Sequence, residues 1–375
     1  MALIKVNNRG QSSDFSTEVG AFKNIVINGD MKVSQRSTST TGITNQEKYV
    51  IDRFQMQNNS SYTTTVEQET LTSGNAYDAG FTKALKITWT TGSAVTTGQY
   101  SLTNYNIEKQ DMDYLLQGTS NAKNIVISFW VKSSITGNHA VTMQNFAASR
   151  RSNVLSYNIS AANTWEYKTI ATSVDTTAST QSDTGKGISL RFGHAAGDNY
   201  EESTSTGGWV TADSFGFTGA AYPASTTNAT WHLTGLQIEE GTEATSFEHL
   251  SYPDQLRRCQ RYCYFLVNLS SGSTGDNFVF LGRGNGNSSL RVPLMTAVPL
   301  RGSPTIYNLG GSGYRVKRGD SASIVGDTTN TMTVQFFSPD SNHLCGVVDI
   351  TGATDNKVFG LTPLSSTQWY LDSEM

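Results

Sequence analysis

The segment Asn124–Ser133 (NIVISFWVKS) decides the fold class of this sequence. It begins apolar on both faces and then alternates between apolar and polar residues, as expected of a central strand that a second sheet covers. Other short segments show the same period of two and are separated by turn residues. We predict further strands at residues 23–28, 49–57, 84–90, 100–107, 140–145, 156–160, 167–173, 188–193 and 230–239.

These strands, with no helical periodicity between them, predict an all-β fold and an antiparallel jelly-roll-type β-sandwich over residues 22–250. A helix signal follows at 252–265, where Pro253 suits the first turn and Asp254 adds negative charge at the N-terminus. We assign residues 251–266 to a short linking helix. Alternating segments farther on predict a smaller C-terminal β domain over residues 267–375. Residues 1–21 are polar and predict an N-terminal arm, either frayed or ordered on a partner.

Composition excludes several classes of protein. The sequence has 27 Lys and Arg against 31 Asp and Glu, so no basic excess is present to neutralise a nucleic-acid backbone. The three cysteines, Cys259, Cys263 and Cys345, have no spacing typical of a disulfide framework or zinc ribbon. The sequence also contains no signal-peptide pattern and no run of eighteen apolar residues. We therefore expect synthesis in a cytoplasm, no membrane insertion and no nucleic-acid partner.

Catalytic patterns are weak. Cleavage of a sugar polymer needs two carboxyl groups about 5 to 10 Å apart across a cleft. Adjacent strand residues such as Glu239 and Glu240 point to opposite faces, so they are poorly placed to share one bond. The two other candidate pairs are Asp111 with Asp113 and Glu201 with Glu202. The five histidines are scattered singly, no G-x-S-x-G motif is present, and Cys259 and Cys263 have no second pair to complete a metal site. We predict that the chain is not an enzyme and has no catalytic residue.

A long polar stretch at residues 194–228 is the first candidate for a binding surface. Glycan recognition uses aromatic faces that stack on sugar rings, with amide and hydroxyl groups beside them that bond to the sugar hydroxyls. The stretch offers both kinds of group. The candidate glycan-binding residues are Asn199, Tyr200, Trp209, Asp213 and Tyr222. The alternative is that the rings anchor this stretch on the sandwich or bury it against a neighbouring subunit.

Three segments together carry a resemblance to a known type of protein. They are KNIVINGDMKVSQR (23–36) with YVIDRF (49–54), the block WHLTGLQIEEGTEATSFEHLSYPDQLRRCQRYCYF (231–265), and PLRGSPTIYN (299–308) with the terminal YLDSEM. In this combination the chain resembles structural, tail-fibre-like proteins of tailed bacteriophages. Residues 127–143 and 164–175 are similar to strands of carbohydrate-binding modules. The resemblance implies a virion protein with a carbohydrate-binding-module-like sandwich, assembled as a homotrimer.

The resemblance also implies a weak metal candidate. Sandwich modules of this kind often carry a structural calcium ion, held by oxygen ligands from the first and last strands. Asp30 in INGD and Glu248 in SFEH occupy the corresponding segments. The alternative is a turn aspartate and a surface glutamate. We expect no other cofactor.

Together these features predict a tail-fibre or receptor-binding component of a phage particle that adsorbs to host-surface glycan without cleaving it. The N-terminal arm or the C-terminal domain would contact other virion proteins. One alternative is a capsid-decoration, head-fibre or tail-adaptor subunit that binds no glycan. A polysaccharide depolymerase is the third.

Overall fold

The computed structural model describes residues 23–374 with gaps at 60, 147–148, 178–183, 206, 269–279, 285–288, 303, 310–313, 319–323, 329–331, 337–342, 350–357 and 364–367. The expected N-terminal arm at residues 1–21 lies outside the described residues. The described chain is nearly all β, with two antiparallel sheets packed as a sandwich, followed by a short helix and a smaller β region. The predicted fold class is confirmed.

Among the described residues, fifteen strands precede the linking helix. They are β1 (Ser39–Ile43), β2 (Gln46–Tyr49), β3 (Phe54–Asn58), β4 (Thr63–Thr70), β5 (Lys83–Thr91), β6 (Tyr100–Glu108), β7 (Asn124–Ser133), β8 (Gly137–Asn145), β9 (Arg151–Ile159), β10 (Glu166–Ser173), β11 (Lys186–Ala196), β12 (Glu201–Glu202), β13 (Trp209–Val210), β14 (Gly216–Phe217) and β15 (Thr230–Glu240). The helical turns among them are α1 (Asn75–Asp78) and two 3₁₀ segments, Lys109–Leu115 and Pro223–Ser225.

The two sheets of the sandwich are antiparallel. Sheet A has the strand order β1-β4-β5-β15-β7-β10, and sheet B has the order β13-β9-β8-β11-β6-β3-β2. The chain crosses between the sheets from β5 to β6, from β6 to β7 and from β7 to β8, as in a jelly roll. Strands β12 and β14 pair with each other in parallel, outside both sheets.

Apolar side chains from both sheets meet in one core. Ile127, Phe129 and Val131 of β7 point inward, and the Phe129 ring lies edge-on to Tyr157 and Phe192 of sheet B, with ring centroids 5.2 and 5.3 Å away. Trp231 is fully buried, and its Nε1 donates to the Tyr157 hydroxyl at 2.9 Å. The core therefore lies where the central strand pattern placed it.

The first predicted strand, residues 23–28, is wrong. The chain there forms an irregular turn, with Asn28 at φ 64° and Met31 at φ 59°. Asn28 Nδ2 donates to the carbonyls of Val33 at 2.8 Å and Asp52 at 3.0 Å, and a Cβ on Gly29 would collide with the Leu236 carbonyl. The motif INGD therefore folds as a compact turn on β15. Strand β4, with the sequence TTTVEQET, was missed because only one of its residues is strongly apolar.

The linking helix α2 (Tyr252–Gln260) is shorter than expected. Its N-cap, Ser251, accepts from the Asp254 amide, and the helix ends because the chain from Cys263 onward pairs with a strand near the C-terminus. Cys259 and Cys263 are buried and free, consistent with packing rather than a disulfide. The C-terminal strands are β16 (Cys263–Asn268), β17 (Phe280–Gly284), β18 (Ser289–Met295), β19 (Thr305–Leu309), β20 (Tyr314–Arg318), β21 (Ile324–Thr328), β22 (Met332–Phe336), β23 (His343–Asp349), β24 (Val358–Pro363) and β25 (Gln368–Asp372).

These strands form two further sheets. Sheet C has the order β16-β25-β19, and sheet D has the order β21-β20-β24-β17-β18-β23-β22. Of the C-terminal strands, β16, β21 and β24 were not predicted from the sequence, and β16 overlaps the end of the predicted linking helix.

A buried ionic junction ties the end of the chain to the sandwich. The guanidinium of Arg53, just before β3, pairs with Glu374 and lies 3.4 Å from the Tyr262 ring centroid. Arg36 lies 3.1 Å from Asp372 and 3.5 Å from Glu374. Three of the segments that carried the sequence resemblance therefore meet at one contact, so their shared role here is structural.

Candidate functional site

The outward side of sheet B carries polar side chains in two rows. Alternate strand residues point to opposite sides, and paired residues of neighbouring strands share a side. Tyr105 and Leu190 point into the core, so their neighbours point outward. The first row is Gln55, Asn104, Arg191 and Thr142, and the second is Asn106, Ser189, Gln144 and Ser152. We call these eight residues the polar face.

Both ends of sheet B are covered by other parts of the chain. At one end, Leu102 packs against Phe215 and Tyr222, and Ala140 packs against Phe217. At the opposite end, both carboxylate oxygens of Glu108 accept from Arg261 at 2.9 Å. The polar face lies between these two covers.

Four atoms of the polar face lack a hydrogen-bond partner within the described chain. They are Asn104 Oδ1, Thr142 Oγ1, Gln144 Oε1 and Arg191 Nε, and all four are buried. Most buried polar atoms in proteins are paired, and an unpaired one costs about 1–3 kcal/mol. These groups therefore call for partners from outside the chain, supplied by water or by ligand hydroxyls.

Asp213 covers the part of the polar face that contains Gln144 and Arg191. Its carboxylate accepts hydrogen bonds from Gln144, Arg150 and Arg191, the last at 2.9 Å. Burial alone would raise the pKa of Asp213, but the Gln144 hydrogen bond and the two guanidinium charges outweigh it and lower the pKa. Asp213 is 34% exposed and Arg150 is 55% exposed, so this pair is the most accessible part of the cover.

Three cations surround one aromatic ring beside the polar face. The side-chain charges of Arg150, Lys186 and Arg191 lie 5.7, 5.0 and 5.6 Å from the centroid of Phe146. Burial lowers the pKa of Lys186, and the nearby charge of Arg191 lowers it further. Positive charge is therefore concentrated on one side of the polar face.

The structure separates the five predicted glycan-binding residues. Asp213 lies over the polar face, whereas Tyr222 is 9% exposed and donates its hydroxyl hydrogen to Glu201 Oε1 at 2.7 Å. Trp209, on the edge strand β13, donates from Nε1 to the Ser173 carbonyl at 3.0 Å. Tyr200 stacks on Phe215 with centroids 4.9 Å apart, and Asn199 is exposed in a turn. The three rings thus anchor the 194–228 stretch, and a glycan-binding role for these residues stays a prediction.

Replacing Tyr222 with Phe tests this anchoring role. The change removes the hydroxyl bonds to Glu201 and to the Phe217 carbonyl but keeps the ring that packs on Leu102. We expect Y222F to lower the free energy of unfolding by about 1 kcal/mol and to leave glycan adsorption unchanged. Urea denaturation and a cell-binding assay measure the two effects. Weakened adsorption with unchanged stability would contradict the anchoring role.

The residues of the polar face were not among the candidates that the sequence offered. Asn104, Thr142, Gln144 and Arg191 lie on predicted strands, but the sequence assigned them no role. A detectable signal was present in LTNYN and VTMQN, where amide and hydroxyl residues alternate with large apolar ones. Only the tertiary structure shows that these residues are buried side by side.

Comparisons with known proteins give distant structural similarities. No protein-family model matches the sequence, and no curated protein does either. Among solved structures, the chain is similar to the enzymatically active domain of tailspike protein 4 of bacteriophage CBA120, with 13% identity and a TM-score of 0.31 over 58% of this chain and 22% of that one. It is also similar to the family 11 carbohydrate-binding module of Clostridium thermocellum in complex with a β-1,3-1,4-linked tetrasaccharide, with 12% identity and a TM-score of 0.27 over 56% and 100% of the two chains.

A putative sugar-binding protein from Bacteroides thetaiotaomicron is similar as well, with 9% identity and a TM-score of 0.32 over 58% of this chain and 100% of that one. The tailspike match spans about a fifth of that protein. At these TM-scores the similarities assign no residue and no activity to the chain.

The calcium candidates do not gather into a recognisable metal site. The Asp30 carboxylate is buried and lies 2.9 Å from Lys32 Nζ, so an ammonium already neutralises it. Glu248 Oε2 accepts from the Asn24 amide at 2.9 Å. Within the described ranges, no group of three or more His, Cys, Asp or Glu side chains is arranged to hold a metal ion. Calcium binding by Asp30 and Glu248 stays a prediction.

The candidate catalytic carboxylates have structural partners. Glu239 is buried and accepts from the Thr245 amide at 2.8 Å, whereas Glu240 pairs with Lys123 at the surface. These two point to opposite sides of β15, as predicted. Glu201 holds Tyr222, and Glu202 accepts from the Ser214 hydroxyl at 2.6 Å.

The remaining pair lies in the 3₁₀ segment Lys109–Leu115, where Asp113 pairs with Lys109 and burial raises the pKa of Asp111.

In the part of the chain described, no helix is long and apolar enough to span a membrane.

Proposed function

We propose that this chain is a phage virion protein that adsorbs to host-surface glycan through the polar face of sheet B, without cleaving the glycan. One observation carries the proposal: Asn104, Thr142, Gln144 and Arg191 present buried, unpaired donors and acceptors side by side on three adjacent strands. Sugar hydroxyls donate and accept in the same way as the water they displace. Strands hold such groups more rigidly than loops do, which lowers the entropic cost of binding.

Access to these atoms requires the cover to move. Asp213 touches both Gln144 and Arg191, and Arg150 holds Asp213 from the solvent side. Rotation of these two partly exposed side chains opens the polar face without any change in the strands. A bound sugar hydroxyl then takes the place of the Asp213 carboxylate on Gln144 or Arg191.

The proposal excludes cleavage. General-acid catalysis of glycoside hydrolysis needs a carboxyl group that keeps its proton near neutral pH. Polar-face residues bond to the carboxylates of Asp213 and of Glu47, which accepts from Gln55 at 3.0 Å. The lowered pKa of Asp213 leaves it without that proton, and its neighbours are cations rather than a second carboxyl group.

The location in a phage particle follows from the sequence resemblance described above. A virion protein of this type would reach the particle from the host cytoplasm and contact other virion proteins through its N-terminal arm or C-terminal domain. Assembly as a homotrimer would present three polar faces to one cell surface, and multiple contacts raise the overall avidity. Sedimentation of the purified protein measures the trimer directly.

Replacing Thr142 with Val tests the proposed site. The Thr142 hydroxyl is buried and unpaired, so its removal should leave the free energy of unfolding unchanged or raise it. Loss of one hydrogen bond to the sugar should weaken adsorption to susceptible cells about fivefold. The control is T169V, which makes the same change on exposed Thr169 of β10 in sheet A. Whole-cell binding and a glycan array supply the affinities.

Equal adsorption by the T142V and wild-type proteins would remove the polar face from the binding site. No adsorption of wild-type protein to any susceptible cell would favour the capsid-decoration or adaptor alternative. Release of reducing ends from purified host polysaccharide would favour a depolymerase instead.

A further inference from the structure

We propose that the polar face selects glycans that carry carboxylate groups, such as uronic-acid polysaccharides. The inference rests on the proposed function and names the ligand class of the same site. It follows from how Arg150, Lys186 and Arg191 are placed around Phe146 and from how few carboxylates compensate them.

The three cations share too few carboxylates. Asp213 is divided between Arg150 and Arg191, and its two oxygens are used by these guanidiniums and by Gln144. Among the described residues, no carboxylate lies within 4.0 Å of Lys186 Nζ. A cluster of three positive charges thus has one directly paired anion.

Other neighbours do not cancel this excess. Arg151 on β9 is already neutralised by Asp175, with Nε 2.7 Å from the carboxylate. Glu47 acts on Lys186 and on Arg191 only as a distant charge, while it accepts a hydrogen bond from Gln55. The Phe146 ring offers the cations its π face, which is a weaker interaction than an ion pair once the site is desolvated.

An incoming carboxylate fits this arrangement chemically. Arg191 is buried, its Nη1 holds Asp213, and its Nε has no partner in the described chain, so one edge of its guanidinium retains a donor. A sugar carboxylate that reaches Arg191 Nε would also approach the positive charge of Lys186. Guanidinium–carboxylate bonds are shorter and stronger than neutral hydrogen bonds. The neutral atoms of Asn104, Thr142 and Gln144 remain for the hydroxyls of the same sugar.

The experiment compares each acidic polysaccharide with its own neutral form. Full-length protein is tested by affinity electrophoresis against polygalacturonate, alginate and hyaluronate, and against the same polymers after chemical reduction of their carboxyl groups to alcohols. Dextran and mannan serve as neutral polymers. We expect carboxyl reduction to weaken binding about tenfold or more and added salt to weaken binding to the acidic forms, because screened charges interact less.

Substitutions test whether the cluster of Arg150, Lys186 and Arg191 causes the stronger binding to acidic polymers. K186M removes the cation without a described ion-pair partner and should weaken binding to the acidic polymers about tenfold, while leaving binding to reduced polymers unchanged. K168M is the matched control, because Lys168 is paired with Glu166 on β10 of sheet A. Thermal unfolding of each variant confirms that it is folded. T142V should weaken binding to both forms of polymer.

The outcomes separate the two proposals. Equal binding of the acidic and reduced polymers, with T142V weakening both, would overturn the selection for carboxylates and leave the glycan-binding function in place. Equal binding by K186M and the wild type to the acidic polymers would also overturn the selection. Binding to no acidic polymer, combined with adsorption to host cells that T142V weakens, would overturn only the selection. No adsorption to any glycan or host cell would overturn both.

Discussion

Removal of the Glu374 carboxylate should lower the free energy of unfolding by about 3–5 kcal/mol, because it leaves the buried Arg53 charge without its ion-pair partner. The Arg53 guanidinium is almost completely buried and has a second acceptor in the Asn106 carbonyl, but no other carboxylate within ion-pair distance among the described residues. The pair joins residues that lie 321 positions apart in the chain. E374A should therefore loosen the contact between the C-terminal strand and the sandwich.

Urea denaturation, monitored by tryptophan fluorescence, measures the change in the free energy of unfolding. E240A is the control, because Glu240 forms an exposed pair with Lys123, and pairs of that kind contribute about 0–1 kcal/mol. In the double variant R53M/E374A the uncompensated charge is gone, so it should be more stable than E374A alone. A loss below about 1 kcal/mol for E374A would show that the junction does not depend on this pair.

Acidification from pH 6.5 to pH 4 should destabilise the sandwich through two core histidines. Burial lowers the pKa of His139 from 6.5 to about 4 and that of His194 well below its ordinary value. His194 packs between Trp89 and Trp231, with ring centroids 4.9 and 4.6 Å away, and His139 lies parallel to the Tyr157 ring. Neither imidazole has a carboxylate within ion-pair distance among the described residues to hold a proton in place.

The sign of the pH dependence is set by whether the folded or the unfolded state binds more protons. Below pH 6.5 the unfolded chain protonates these histidines, whereas folded His139 stays neutral down to about pH 4. Protonation therefore favours the unfolded state, and the stability present at neutral pH is lost as the pH falls through this window. For His139 alone the difference corresponds to about 3 kcal/mol at the acid end.

H139Q isolates the contribution of His139. Gln keeps a donor for the Ile135 carbonyl, which His139 Nε2 contacts at 2.9 Å, but it does not titrate. Free energies of unfolding at pH 7.5, 5.5 and 4.5 should fall less steeply for H139Q than for the wild type. Parallel curves for the two proteins would mean that His139 takes up its proton equally in both states. The control, H249Q, changes an exposed histidine whose pKa is also lowered, by burial first and then by the charge of Lys32, so it shows how much of the slope any lowered histidine pKa contributes.

The sequence by itself determined the sandwich. Periods of two in Asn124–Ser133 and in β5, β6 and β15 identified the strands, because burial of one side of a strand constrains every second residue. Strand β4 and the turn at 23–28 escaped this reasoning. Strand β4 is mostly polar, so it shows no alternation. The apolar residues between Asn24 and Asn28 resemble a strand in the sequence, but the side chains of these two asparagines bond to backbone carbonyls and hold the segment as a turn.

Tertiary structure alone decided which polar residues form the candidate site. Asn104, Thr142 and Arg191 are far apart in the chain, and only the strand order β8-β11-β6 of sheet B places them side by side. It also packed Tyr222, in the 194–228 stretch, against Leu102 of sheet B, and it brought Glu374 to Arg53. Local alternation encodes which side of a strand is buried, but the pairing of distant strands and the fit of one buried charge to another depend on the whole folded chain.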